Sequence, residues 1–436
     1  MSSTPSRFSR RRFLKNTSVA LAGSSLLAGP LRARSSAARG TQELRIALVG
    51  CGGRGTGAAA QALATEGDVR LVAMADAFAD RLEGSLRSIQ GEHPDRVDVP
   101  AERRFTGFDA YRRAMDLDVD VVILATPPGF RPIHFEYAVQ KGRHVFMEKP
   151  LAVDGPGIRR VLAAAGVAKQ KRLKVGVGLQ RHHDTRYQET VQRIHDGAIG
   201  DVVLLRAYWN SSGVWVNPRR EGQSEMEYQM RNWYYFNWLC GDHIVEQHIH
   251  NLDVCNWVVG DYPVRAQGQG GRQVRTGIEY GEIYDHHMVE YTYANGAKLL
   301  SQCRHIPGAW SSVSEHVHGT TGTSNVGAGR IESRGGWDWR HREEVADPYQ
   351  VEHDELFAAI RSGAEYNEAE NGAKSTLTAI LGRMATYSGV EVSWEQALGS
   401  ELALVPDEYS WRGLPPTLPD AEGRYPIPMP GSSAAF

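Results

Sequence analysis

The stretch GDHIVEQHIHNLD, residues 241–253, sets His243, His248 and His250 among Asp242, Glu246 and Asp253. Three readings fit such a set. Imidazole and carboxylate groups can ligate a divalent metal. A histidine with an ordinary pKa near ~6.5 can act as a general base near neutral pH. A polar structural helix needs neither role. If the stretch is one helix, residues four apart share a face. Glu246 and His250 then point the same way, with His243 and Gln247 near them and His248 off that face. His243, Glu246 and His250 could converge on a metal, yet position 247 is Gln and H-E-x-x-H is absent. We assign no metal.

A second chemical signal lies near the start of the chain. In ELRIALVGCGGRGTGAAAQAL, Ile46–Val49 reads as a buried strand, and Gly50, Gly52 and Gly55 fit G-x-G-x-x-G before an alanine-rich helix. Glycines there allow a tight turn and close backbone approach. The unpaired N–H groups and dipole of the helix N-terminus favour a pyrophosphate. The next strand, VRLVAMAD, ends in Asp76, 26 residues after Gly50. A carboxylate there can accept from a ribose 2′-hydroxyl and repels a 2′-phosphate, which favours NAD. Arg54 and Arg81 keep NADP as an alternative. Gly53 and Arg54 complete the expected cofactor loop. Thr126 and Pro127 follow the strand in VDVVILATPP, and His134 lies on the next helix. Glu148 and Lys149 of MEKP follow another strand; all five are further cofactor-binding candidates. Ligands of doubly wound sheets sit at the carboxyl ends of strands. Lys149 there can reach a substrate beside the nicotinamide, or can be one half of a surface Lys–Glu pair.

These residues need elements to hold them. Strand–helix alternation up to KVGVGLQ predicts a doubly wound parallel Rossmann domain over 43–165. From about Asp201 the pattern changes. GDVVLLRAYWN, HHMVEYTYANGAKLLSQCRH and EHVHGTTGTSNV read as strands, with ANG a hairpin turn. They predict an α+β domain over 166–400 with a large open, mostly antiparallel sheet. EHDELFAAIRSG and GAKSTLTAILGRMATYSG have helical periodicity and can pack back on the first domain. Residues 401–436 are rich in Pro and Gly and should wrap the surface. Two polar or aromatic clusters are substrate-site candidates. GLQRHHDTRY offers Arg181, His182 and Tyr187, and NWYYFNW offers Trp233 and Tyr235, whose rings suit sugar C–H faces or a core; His243 joins them.

The 436 residues carry a net charge of −2, so no basic field points to nucleic acid. The four cysteines are scattered without C-x-x-C spacing and read as free thiols. Ser9–Lys15 holds the pair Arg10–Arg11, ahead of a mildly apolar stretch and RSSAA. This predicts a twin-arginine signal peptide over 1–38, cleaved after Ala37 or Ala38, and a periplasmic destination without a stable membrane anchor.

Taken together, ALVGCGGRG, Asp76, ATPPGFRPIHFEYAVQKGRHVFMEKPLA and HIHNLDVCNWVVG resemble the Gfo/Idh/MocA oxidoreductases, over about Glu43 to Val392. The resemblance implies a Rossmann domain joined to an open sheet through which members often form dimers or tetramers. It also implies hydride transfer between NAD(P) and a hydroxyl carbon of a sugar, cyclitol or polyol. Members carry an Asp, then four residues later a His followed by x-x-D. His250 matches that His, and Glu246 stands where Asp is usual. His250 is then the expected base, Lys149 the group that stabilises developing charge on the same oxygen, and Glu246 a group that orients His250 or binds a neighbouring hydroxyl. Outside the cytoplasm free NAD(P) is scarce, so an exported member should hold its cofactor and restore it within each cycle. Two alternatives stand beside this: cleavage of a glycoside through a transient keto-sugar, and a non-catalytic, nucleotide-loaded sugar-binding protein.

Overall fold

A computed structural model describes residues 43–434. The proposed signal peptide lies outside the described residues. Among the described residues, no helix is long and apolar enough to cross a membrane.

The first sheet has six parallel strands: β1 (Leu44–Val49), β2 (Val69–Asp76), β3 (Arg104–Thr106), β4 (Val121–Leu124), β5 (His144–Met147) and β6 (Val175–Val177). Their spatial order is β3-β2-β1-β4-β5-β6. Both faces are apolar because side chains alternate across the pleat and helices cover each side. Ile46, Leu48, Val121, Ile123 and Phe146 face the helices Gly53–Ala64, Ala79–Glu92 and Pro348–Ser362. Ala47, Val49, Val122, Leu124, Val145 and Met147 face the helices Ala110–Met115, Arg131–Gln140 and Gly155–Gln170. The sheet takes in β6, so its boundary falls later than residue 165.

The second sheet has nine strands. They are β7 (Val202–Ser211), β8 (Pro263–Gly271), β9 (His286–Tyr293), β10 (Lys298–His305), β11 (Ser312–Gly319), β12 (Gly322–Asn325), β13 (Arg330–Ser333), β14 (Asp338–Arg340) and β15 (Val392–Ser393). Their order is β14-β13-β12-β11-β7-β10-β9-β8-β15, antiparallel throughout except the β7–β10 pair. Strand β9 turns into β10 at Ala294–Ala297. There Gly296 has φ +87° and the Asn295 side chain accepts from Ala297 N–H at 3.0 Å. The strands alternate cleanly. His287, Val289, Tyr291 and Tyr293 face inward with Leu299, Ser301, Cys303 and His305, while Met288 and Glu290 lie on the other face with Gln302 and Arg304. All four cysteines are buried and free.

The 241–253 stretch departs from the single helix read from its spacing. One helical turn covers His243–Glu246, and a second helix begins at Ile249. Between them His248 N–H bonds to His243 C=O at 3.2 Å, and His250 N–H to Gln247 C=O at 3.3 Å. The first bond spans five residues and the second three, so the ladder widens and then tightens. His248 causes the step: its ring is buried and its Nε2 meets Ser301 Oγ at 2.7 Å.

Candidate active site

The glycine loop follows from close approaches. A Cβ on Gly50, which has φ +98°, would lie 2.5 Å from the Ala125 carbonyl carbon, and one on Gly55 would lie 1.9 Å from Gly50 O. These contacts set β1 against β4 and the helix against the loop. Gly52 differs: its Cβ direction meets nothing within 4 Å and opens into a cleft of about 760 Å³. The helix Gly53–Ala64 starts there with no side-chain cap, so its first N–H groups are free for an anion. Gly50, Gly52, Gly53 and Arg54 line the cleft, whereas Gly55 is buried beneath the loop.

Asp76 lines the same cleft. Its carboxylate accepts from Cys51 N–H at 2.6 Å and Phe78 N–H at 2.9 Å. Burial raises its pKa, and those two N–H groups oppose the rise. Thr126, Pro127 and His134 line the cleft too; His134 Nδ1 lies 3.2 Å from Thr126 Oγ1. Burial, with Arg131 and Arg112 second, holds the His134 imidazole well below its usual pKa. Glu148 pairs with Arg54 at 2.7 Å at the cleft floor. An open cradle at Gly52, bare helix N–H groups and a carboxylate at the end of β2 fit a dinucleotide with two ribose hydroxyls.

The chemistry converges where the two sheets' segments meet. Lys149 Nζ donates to Glu246 O at 2.7 Å and pairs with Glu246 Oε1 at 3.0 Å. An ammonium has three N–H groups, so one is left for a ligand. His250 lines the cleft with Lys149 and Glu246, its ring stacked at 6.0 Å on Trp209. Its Nδ1 is buried without a partner. Burial, and after it the charges of Lys149 and Arg181, push the imidazole well below its usual pKa. The expected trio therefore shares one wall despite the helix break. Trp233 lines the cleft as well.

Five expected substrate contacts lie elsewhere, each for a visible reason. Arg181 pairs with Glu315, a carboxylate on β11 with no exposure, and Tyr187 OH donates to the same carboxylate at 3.3 Å. Asn251 donates to it too. His182 Nε2 meets Asp253 Oδ2 at 2.7 Å and its ring stacks on Trp257. Tyr235 is fully buried, its OH donating to Trp215 O at 2.9 Å. His243 is fully buried, its Nδ1 2.7 Å from Asp242 Oδ1. Asp242, His243 and His287 bring ligand-type atoms within 4.8 Å of one another. The Asp242 carboxylate, however, already takes Tyr284 N–H and Tyr387 OH, and forms a hydrogen-bonded hub.

Two residues after Arg181, His183 sits between Glu355 (2.8 Å) and Glu368 (3.2 Å). Burial opposes its charge, but the two carboxylates outweigh it and push the imidazole up to about 10. A raised histidine pKa adds stability that is complete below about 6.5 and is lost as pH rises through about 10. The thermal midpoint should therefore fall across that window, and His183→Gln should flatten the fall in a pH series of melting curves.

The structure also brings in residues that no motif marked. Trp215 and Asn217 reach the cleft from the loop after β7, and Trp209 from β7 itself. Tyr349, on a helix that returns to the first sheet, lies under Arg54 at 4.9 Å. Gln247, which the helical spacing had already set near Glu246 and His250, also lines the cleft. Its Oε1 lies 2.7 Å from His305 Nε2, and His305 Nδ1 lies 3.0 Å from Arg275 Nη1. A guanidinium only donates, so His305 Nδ1 accepts and Nε2 carries the proton. That proton fixes Gln247 Oε1 as acceptor and leaves the amide N–H₂ for the cleft.

Known proteins place this geometry. Residues 44–178 match the model of an oxidoreductase family with an NAD-binding Rossmann fold, and residues 187–325 match the GFO/IDH/MocA C-terminal domain. The inositol 2-dehydrogenase of Rhizobium meliloti is 26% identical over 346 residues, 77% of this chain and 94% of that protein. The aldose-aldose oxidoreductase of Caulobacter crescentus, solved with glycerol, shares the fold at TM-score 0.63 and 19% identity, over 81% of this chain and 100% of that one. The scyllo-inositol dehydrogenase of Lactobacillus casei, solved with NAD(H) and scyllo-inositol, does so at TM-score 0.62 and 19% identity, over 81% and 99%. With its glycine cradle, Asp76 and the Lys149–Glu246–His250 wall in one cleft, the chain belongs to the Gfo/Idh/MocA family and is an NAD-dependent oxidoreductase.

Proposed function

We propose that this enzyme oxidises a secondary hydroxyl of a sugar, cyclitol or related polyol and keeps its NAD(H) bound, restoring it on a second carbonyl substrate. The carrying observation is that Lys149, from the first sheet, and His250, from the helix Ile249–Val259, meet in the dinucleotide cleft beside Trp209, Trp215 and Trp233. When bound, the nicotinamide supplies the hydride acceptor and donor. Neutral His250 takes the hydroxyl proton in the oxidative direction and returns it in the reductive one. The remaining Lys149 N–H donates to the same substrate oxygen and stabilises its developing negative charge. Glu246 holds Lys149 through both its backbone and side-chain oxygens. The indole faces suit the C–H surfaces of a ring polyol. Relatives that act on inositols and aldoses support that substrate class.

Gln247 adds a donor for a neighbouring substrate oxygen. Gln247→Met should raise KM about fivefold and move kcat less, the loss of one hydrogen bond worth about 1 kcal/mol. Steady-state kinetics on the best polyol substrate checks this.

The Arg10–Arg11 segment supports export by the twin-arginine route to the periplasm, and the open face of the second sheet supports a homodimer or tetramer. The test of the whole reading starts with protein purified without added nucleotide. Denaturation should release stoichiometric NAD(H), identified by mass spectrometry, and paired sugars should interconvert without net NADH. Loss of all nucleotide on purification overturns the closed cycle. Free sugar released from a glycoside, again without net NADH, would point to cleavage instead.

A further inference from the structure

Residues 401–434 contain no helix or strand, yet they are fastened along their length. Leu404 N–H donates to Asp154 at 2.8 Å, and Tyr409 OH to Gly129 O at 3.3 Å. Thr417 O accepts from Gln229 at 2.7 Å, and Tyr425 is buried with its OH on Glu225. This strap lies outside both matched family regions, 44–178 and 187–325.

Its middle meets the nucleotide cleft at one end. The Trp411 ring lies 4.5 Å from Phe108 and 5.2 Å from Phe78, and both phenylalanines line the cleft. Arg231 also covers Phe78, its guanidinium 3.9 Å from the ring centroid and paired with Asp80 at 3.0 Å. A recess of about 490 Å³ runs between Ala77, Gly107 and Phe108 on one side and Glu408–Trp411 on the other, and joins the cleft at those first three residues.

The position of Asp76 decides what this end receives. Its carboxylate marks the ribose of the adenosine half, so the base continues past it toward Ala77 and Phe78. Purines stack on aromatic side chains. We propose that the adenine of bound NAD(H) seats at the junction of Phe78, Phe108 and Trp411, with Glu408–Trp411 forming one wall of its site and slowing release of the cofactor. The inference deepens the retained-cofactor reading but is tested on nucleotide alone.

Calorimetric titration of nucleotide-free protein with NAD and with ADP-ribose provides the test. Trp411→Ala should weaken both about tenfold and speed NAD release to match, while Trp411→Phe recovers most of the loss. Trp411 is 37% exposed, so neither change should lower the melting temperature by much. Unchanged ADP-ribose affinity in Trp411→Ala overturns the proposal, as does a loss that Trp411→Phe does not restore. Wild-type protein that sheds NAD on gel filtration would defeat the retained-cofactor reading, and the affinity comparison would still decide the role of the strap.

Discussion

His250→Ala should lower kcat by roughly 10²–10⁴ while leaving bound NAD(H) in place, the range for removing a positioned general base. Single-turnover reduction of the bound cofactor at 340 nm separates the two effects, because nucleotide content is read on the same sample. The pH profile carries a second signature. Burial first, and Lys149 next, hold the imidazole well below its usual pKa. The base form is neutral, so a lowered pKa keeps it competent as the solution becomes more acidic. The acid limb of kcat/KM should therefore fall below about 6.5, not at it. An acid limb at the ordinary histidine value, or a His250→Ala enzyme with near-normal turnover, would assign the proton to another group.

Arg181→Ala should cost about 3–5 kcal/mol of stability, because it strands the fully buried Glu315 carboxylate. Urea unfolding of the purified variant measures the loss. Removing both charges in Arg181→Met/Glu315→Leu should recover much of it, since the penalty belongs to the unpaired charge. A variant of normal stability with a raised KM would return Arg181 to the substrate pocket.

These two cases mark the limit of what the residues reveal in linear order. The glycine loop, Asp76 and Lys149 were legible because each sits at a fixed offset from a strand end, where local geometry sets its position, and His250 because it lies four residues from Glu246 in a motif that resembles the family's. The cluster Arg181, His182 and Tyr187 was not, because the partners that bury it are remote. Glu315 lies 134 residues from Arg181, and Asp253 lies 71 from His182. A polar run that satisfies a buried carboxylate has the same composition as one that lines a pocket. The step in the 241–253 helix has a similar origin. Its spacing is helical, but Ser301 on β10 draws His248 inward. Trp215 and Asn217 reach the cleft from a loop that no periodicity orders.

The return of late chain segments to the first sheet has a consequence for modularity. Leu356 and Phe357 cover the same face as Ile46, Leu48 and Phe146, and a Cβ on Gly176 would already meet Leu356 at 3.1 Å. The helix Ala369–Ser388 serves both halves, with Thr376 Oγ1 bonded to Leu151 N–H and Asn256 reaching Thr378. No single cut therefore divides the chain into two self-sufficient pieces. A fragment ending after β6 would leave an oily sheet face in water, and a graft exchanging the second sheet with a relative's would have to carry residues 348–388 as part of the recipient.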